Sequence, residues 1–529
     1  MTTQLNRRTF LTAGSAAAAA ALIPASVSAK CTDPMPAKWD ETVDVLVIGS
    51  GFAGLACAIE ARKAGASVLV LEKMRAYGGN STINGGIMSV PGNAAQKKLG
   101  IKDSPELLAE DMIREGLGYN YPDKVLTMAK QAMATYEWTV NELHVEWIPD
   151  RVGAEGGHSV PRHLFTVNGS GSEIVKKEYD YCKKLGVEVR LRTYVEEIIR
   201  DGDGRVKGLK VREGYRFPDA KSGKVKFIRA RKGVALCYGG FGADVKFRMK
   251  FDPKLTDKFD TTNQPGATSE MWREASRIGC NVIQEDWIQC GPWNSPEEKG
   301  MGIALYFAQG AAATQGVWVD CATGKRFINE LANRKVRADA VINNSNKGHM
   351  SIAIADAPTI ERTIAKTRPG IFEKQLERGV VHKFDTLEAL ASEYKIPLEA
   401  LKKTIADYNA ALAAGKGDEM GRYFAPGAKP MGTAPFYCSI LSPKVHHCMG
   451  GVETNNKGQV IDIKTDNPIA GLYAAGEATG GVHGAVRLGS CATLDCLVNG
   501  RIIGKEIAKE KPWCYRNRWL IWVPRINHH

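Results

Sequence analysis

An α/β fold, in which a mostly parallel sheet is interrupted by a second, inserted α+β unit, is predicted by three features of the 529-residue sequence. The first is the run TVDVLVIGSGFAGLACAIEARKAGASVLVLEK from Thr42, which reads as apolar strand, glycine turn, helix and a second strand ending in an acid. The second is a pair of distant strand-like segments that end in glycines, 233–244 (GVALCYGGFGAD) and 471–481 (GLYAAGEATGG). The third is length, several times that of a typical domain, with 44% hydrophobic and 24% charged residues, the composition of a globular chain.

The first run makes one βαβ unit of Rossmann type. Gly49 permits its tight turn, Gly51 lets the backbone approach a pyrophosphate, and Gly54 allows helix to pack closely on strand. Glu72, at the end of the second strand, stands where an acid accepts a hydrogen bond from a ribose hydroxyl. A dinucleotide site is therefore expected. Segments 78–81 (GGNS) and Gly85-Gly86 offer a second place where backbone passes close to a flat ring or a phosphate. Because 233–244 and 471–481 must return to this sheet, the chain between them holds an insertion. The expected division is a nucleotide-binding domain of 39–290 and 447–511, with a clamp or capping domain of 291–446 inserted. Within the clamp, 386–416 carries Leu387, Leu390, Tyr394, Leu401, Ile405 and Tyr408 at helical spacing, a stripe expected to pack the core.

The formal charge of +13 comes from scattered Lys and Arg without a basic helix or zinc knuckle, so an anionic substrate or acidic redox partner fits better than nucleic acid. Residues 1–29 read as a twin-arginine signal: Arg7-Arg8, an alanine-rich stretch too short to span a bilayer, and a small-residue cleavage site before Lys30. Export to the periplasm is the expectation. The twelve cysteines force no disulfide, no Cys-x-x-Cys-His is available to attach a haem, and no metal site is expected. The tail 512–529 is aromatic and basic, suited to covering the nucleotide domain or docking a partner.

Taken together, GSGFAG, EK followed by GGNS, CYGGF, HHCMGG and PIAGLYAAGEATGGVHGAVRLG resemble the flavoprotein family of fumarate reductases and succinate dehydrogenases. The branch most similar is that of soluble periplasmic flavocytochrome c-type fumarate and urocanate reductases, and the likeness runs from about Val43 to Ala508. It implies FAD, with Gly49, Gly51, Ala53, Gly54, Glu72, Lys73, Gly79, Asn80, Ser81, Gly86, Gly239, Glu477 and Leu494 at the cofactor. Segment 78–86 lacks the His-Thr step that links flavin covalently in the membrane-bound complexes, so noncovalent FAD is implied.

Reducing an activated alkene takes a hydride, a proton and positive charge to hold the enolate-like transition state. The resemblance implies Arg334, just after GKRFINE, as the proton donor, with His447 and Arg487 gripping a substrate carboxylate. The family's second carboxylate clamp and acidic proton relay are replaced here by Gly291-Pro292-Trp293 and by the run from Gln309 to Ala313. Fumarate is therefore disfavoured, since its second carboxylate would be buried unpaired. Trp293, Tyr306, Phe307 and Trp318 are expected either to line a pocket for an apolar or aromatic substituent, as in an acrylate or aryl acrylate, or to pack the clamp core. Near the ring, Ser490-Cys491 replaces the family's Gly-Asn. Electrons are expected from a c-type cytochrome or a quinol-linked donor. Two other readings stay open: a ketosteroid or enone dehydrogenase on the same scaffold, and a flavin electron carrier with no substrate site.

Overall fold

The computed structural model describes residues 33–513 apart from 155, 416, 425 and 426. The signal expected in 1–29 lies outside the described residues, as does the tail beyond Trp513.

Strand β1 (Glu41–Ile48), helix α1 (Phe52–Lys63) and strand β2 (Val68–Leu71) form the βαβ unit read from the sequence. Val45 to Ile48 and all of β2 are buried, as parallel strands covered on both faces require. The central sheet runs, in spatial order, Gln459–Ile461, Pro468–Ala474, Lys224–Leu236, β1, β2 and Glu188–Arg190. Four of its five neighbouring pairs are parallel; Gln459–Ile461 runs antiparallel at one edge. Thr193–Arg200 and Val206–Glu213 extend as an antiparallel branch from Lys224–Leu236. Both distant segments thus join the sheet on the β1 side of the first motif, one beside β1 and the other next beyond it, although more than 150 residues separate β1 from the first and a second sheet intervenes before the other.

The helix Cys491–Lys509 crosses α1 at close range, and this contact depends on missing side chains. A Cβ at Gly500 would stand 2.5 Å from the Ala53 carbonyl oxygen, and one at Gly504 would stand 2.4 Å from that of Cys57. Those two glycines, one turn apart, bring the second half of the C-terminal helix against the start of α1.

The second sheet is antiparallel, in the order Lys325–Arg326, Val317–Asp320, Ser351–Asp356, Phe436–Leu441 and His382–Phe384. The helical stripe of 386–416 is two helices, Leu387–Glu393 and Leu398–Ala413. Lys395 adopts a left-handed φ of 54° and Pro397 cannot continue a helix, so the register breaks between them. Leu390, Leu401, Ile405 and Tyr408 still pack one core against the sheet. A two-stranded ribbon joins the two sheets, Ile288–Gly291 against Lys444–Cys448, pairing Gln289 with His447. All ten described cysteines are free.

Candidate active site

Two cavities adjoin and share part of their lining. The first, of about 140 Å³, follows the glycine turn from Glu72 and Lys73 past Gly49 to Ala53, Gly78 to Ser81 and Gly239 to Gly476 and Glu477. Gly49 has φ +102°, and a Cβ there would stand 2.3 Å from the Cys237 carbonyl oxygen. At Gly54 a Cβ would fall 2.0 Å from the Gly49 carbonyl. Neither position can therefore carry a side chain, and the backbone of Gly49 borders the cavity directly. Glu72 is buried; its carboxylate accepts from Ser50 (N at 3.2 Å, Oγ at 2.7 Å) and from Met74 N at 2.9 Å, which fixes it at the mouth of the turn.

The second cavity, of about 400 Å³, opens between the two sheets and shares Phe52, Asn80, Ser81, Glu477 and Cys496 with the first. Arg334, His447 and Arg487 all line it, each at least nine-tenths buried. They arrive on different elements: Arg334 opens the helix Arg334–Asn346, His447 sits in the connecting ribbon, and Arg487 precedes the C-terminal helix. Ribbon pairing places Gln289 opposite His447, and Gln289 Nε2 donates to the Arg487 carbonyl at 3.1 Å, so one short strand positions two of the three.

Charge is concentrated here. Burial, and then the Arg487 and Arg337 guanidiniums, hold Arg334 well below the usual arginine range. Its place at the first position of a helix adds to this, because the helix dipole opposes a cation at that end. Burial, and then Arg487, likewise keeps His447 well below the usual imidazole range. His447 Nδ1 lies 3.4 Å from Glu477 Oε1, while His447 Nε2 and Arg487 Nε are buried with no protein partner. Burial raises the Glu477 carboxyl, which also accepts from Cys448 N at 3.0 Å. A neutral imidazole and a guanidinium with buried nitrogens that have no protein partner, beside a second arginine, fit an anion.

The glycine cradle, Glu72, and the continuity of the two cavities fit FAD. Of the cofactor residues expected from the sequence, Gly49, Gly51, Ala53, Gly54, Glu72, Lys73, Gly79, Asn80, Ser81, Gly239 and Glu477 border the cavities or build the turn that does. Two do not. Leu494 is fully buried in the core that α1 shares with the C-terminal helix, and its neighbours Thr493 and Cys496 border the cavity instead. Gly86 packs against Thr166 and Ser170, where a Cβ would fall 2.1 Å from Thr166 Oγ1; Gly85 borders the cavity. Period-3.6 geometry explains the first, since adjacent helical residues point about 100° apart.

The aromatics divide too. Trp293 and Tyr306 line the cavity, whereas Phe307 and Trp318 are fully buried in a core that packs on the second sheet. Trp293 lies under Arg334, with 4.7 Å from guanidinium carbon to ring centroid. One turn further on, Arg337 donates to Gln309 Oε1 at 2.6 Å and to the Glu330 carbonyl at 3.0 Å. The sequence reading missed the segment around Thr262, Asn263 and Gln264, which lines both cavities; Asn80 Nδ2 donates to Asn263 Oδ1 at 2.6 Å. It also missed Gln289. No local motif marks either.

The family described as FAD binding domain matches residues 44–493. The acrylate reductase flavoprotein subunit of Shewanella woodyi is 39% identical over 497 residues, covering 94% of this chain and 97% of that protein. The urocanate reductase of Eggerthella lenta is 32% identical, covering 90% and 77%. Among solved structures, the open conformation of a flavocytochrome c3 fumarate reductase superposes with a TM-score of 0.73 at 30% identity, covering 89% of this chain and 79% of that one. A 3-ketosteroid-Δ4-(5α)-dehydrogenase from Rhodococcus jostii superposes at 0.71 with 24% identity, a likeness of fold.

Proposed function

The chain belongs to the FAD binding domain family, and from that membership we propose that it is an exported FAD-dependent reductase of the carbon–carbon double bond of an α,β-unsaturated carboxylate. The observation that carries this reading is the convergence of Arg334, His447 and Arg487 on one buried cavity continuous with the glycine cradle. The relatives named for acrylate, urocanate and fumarate reduction support the same chemistry.

Bound FAD, once reduced by the electron donor, would supply a hydride to one alkene carbon. The protein does the rest. His447 Nε2 and the Arg487 guanidinium hold the substrate carboxylate, and Gln289 and Glu477 keep those two groups in place. Arg334, with its proton held less firmly than an exposed arginine's, delivers a proton to the neighbouring carbon. Where a compact diacid needs a second clamp, the cavity has Trp293 and the amide of Gln309. Fumarate would leave a carboxylate there without a charged partner, at a cost of several kcal/mol. A monocarboxylate such as acrylate, or an aryl acrylate stacked near Trp293, is the preferred acceptor.

We further propose noncovalent attachment of FAD, since 79–86 contains no histidine, and division of the chain into a nucleotide domain and a clamp at the ribbon, 290/291 and 446/447. Export by the twin-arginine route to the periplasm and reduction by a c-type cytochrome or quinol-linked donor complete the reading; the net charge of +13 suits an acidic donor. No helix among the described residues is long and apolar enough to cross a membrane.

Oxidation of reduced viologen across fumarate, urocanate, acrylate, methacrylate and cinnamate tests this. Expected is a monocarboxylate outpacing fumarate, with Arg334→Ala slowing turnover about 10²–10⁴-fold while flavin content is kept. A strong preference for fumarate, or an unaffected Arg334→Ala variant, overturns it.

A further inference from the structure

Two more arginines line the larger cavity, and the proposed reaction uses neither. Arg151 lies ahead of the short strand His163–Phe165, in the part of the chain that carries the nucleotide fold. Arg368 follows the short helix Ile364–Thr367 of the inserted part. Their guanidiniums sit over aromatic rings, Arg151 over Phe165 and Arg368 over Tyr306, each with 4.2 Å from guanidinium carbon to centroid. Arg368 also reaches across the junction, where a Cβ added to Gly169 would meet its Nη1 at 3.6 Å. Unlike Arg334, His447 and Arg487, both are only partly buried.

Neither guanidinium has a carboxylate within ion-pair range or a side-chain hydrogen bond among the described residues. Other partly buried arginines of this chain do: Arg190 lies 2.8 Å from Glu41, Arg200 lies 2.6 Å from Asp462, and Arg326 lies 2.6 Å from Glu330. Burial and the nearby Arg368 both lower the proton affinity of Arg151. Two like charges brought toward one space from two parts of the fold repel each other unless an anion lies between them. Planar guanidiniums, each stacked on a ring, suit a carboxylate.

We propose that Arg151 and Arg368 form a second carboxylate subsite, which takes an acid group carried by the substrate at the end remote from its double bond. The proposal rests on the reductase reading and refines its substrate class. The favoured acceptor becomes an extended aryl acrylate with a distal acid group, of which 4-carboxycinnamate is the simplest probe. It separates this subsite from the family's compact diacid clamp, since fumarate is too short to engage both ends.

The test measures steady-state constants of the flavin-loaded protein for cinnamate and 4-carboxycinnamate, alongside R151Q, R368Q and the double variant. In the unsubstituted protein, kcat/KM for the diacid should exceed that for cinnamate at least tenfold, chiefly through KM. In R151Q/R368Q that ratio should fall to near one, and the charge-keeping R151K/R368K should recover part of it. Calorimetry with 3-(4-carboxyphenyl)propanoate, which has no double bond to reduce, reads the subsite without turnover. Arginine-dependent binding of that acid by a protein that reduces none of the acceptors would sink the reductase reading and keep the subsite. Turnover of cinnamate with no advantage for the diacid, in parent and variants alike, overturns the subsite and keeps the reaction. A third result also overturns it: free benzoate altering the KM for cinnamate through these arginines while the diacid gains nothing, which assigns the pair to a separate anion. Should the double variant lose flavin, the single and lysine variants carry the comparison.

Discussion

The two cavities share Phe52, Ser81 and Glu477, yet they are made of different material. The one along the glycine turn is bordered by bare backbone at Gly49 and Gly51, and the residues that shape it there are close in sequence: Gly49, Gly51, Gly54, Glu72. The one between the sheets is walled by side chains, and its two arginines and its histidine come from residues 334, 487 and 447. Backbone walls serve any molecule with the right phosphates and can hardly vary. Side-chain walls can be exchanged one at a time, as Trp293 and Gln309 illustrate, so selectivity between acceptors is expected to reside there and cofactor binding in the turn.

The sharpest way to break that contrast is Gly54→Val. With a Cβ already 2.0 Å from the Gly49 carbonyl, the turn cannot close, and purified protein should show no flavin absorbance. Retained flavin would mean that the turn has far more slack than its contacts allow. Next in size is Arg487→Ala, on the other side of the divide. Flavin should remain bound while kcat/KM for the preferred acid falls by about 2–5 kcal/mol in transition-state terms, the cost of removing one partner of a buried charged contact. Loss of flavin instead would show that the two cavities are not separable in function.

Trp293→Ala probes selectivity alone. The ratio of kcat/KM for cinnamate over acrylate should drop roughly tenfold, from lost stacking area; an unchanged ratio would return Trp293 to a purely structural role under Arg334. The smallest effect concerns support behind the cavity. His158 Nε2 lies 2.9 Å from the Gly489 carbonyl and its Nδ1 lies 2.8 Å from Arg162, a pairing that requires the neutral ring. Burial above all, with Arg162 contributing, lowers its pKa to about 4. Between the unfolded value near 6.5 and that folded value, the unfolded chain binds the extra proton, so this histidine makes stability fall as pH falls. His158→Gln should therefore flatten the pH dependence of unfolding free energy between pH ~6.5 and ~4, by up to about 1.4 kcal/mol per pH unit. Glu178, raised by burial, pulls the opposite way but is common to both proteins. Parallel curves from denaturant titrations would exclude the neutral-ring account.

Legibility followed the same boundary. Residues 42–73 announce their fold because strand, turn and helix are specified by near neighbours: apolar runs for buried parallel strands, glycine where a Cβ would strike a carbonyl, an acid at the strand end. The stripe of 386–416 was legible as core, but its break at Lys395 and Pro397 was not, since one periodicity can continue across two helices. Arg334, His447 and Arg487 stand out only through the motifs beside them, and nothing local distinguishes Trp293, which lines the cavity, from Trp318, which is buried in the core.

By itself the sequence determined the nucleotide-binding architecture, the need for an inserted unit and the residue types able to hold and protonate an acid, because each depends on short-range sterics or on chemistry carried by the residue. Only the tertiary structure decided which of those side chains share a space: that Gln289 holds the Arg487 carbonyl, that Gly85 rather than Gly86 and Thr493 rather than Leu494 face the cavity, and that Arg151 and Arg368 approach from separate parts of the fold. The Gln289 contact follows from how two sheets are set against each other through a short ribbon, and the others from which face of a helix or loop is laid against the cavity, long-range packing outcomes that no window of neighbouring residues encodes.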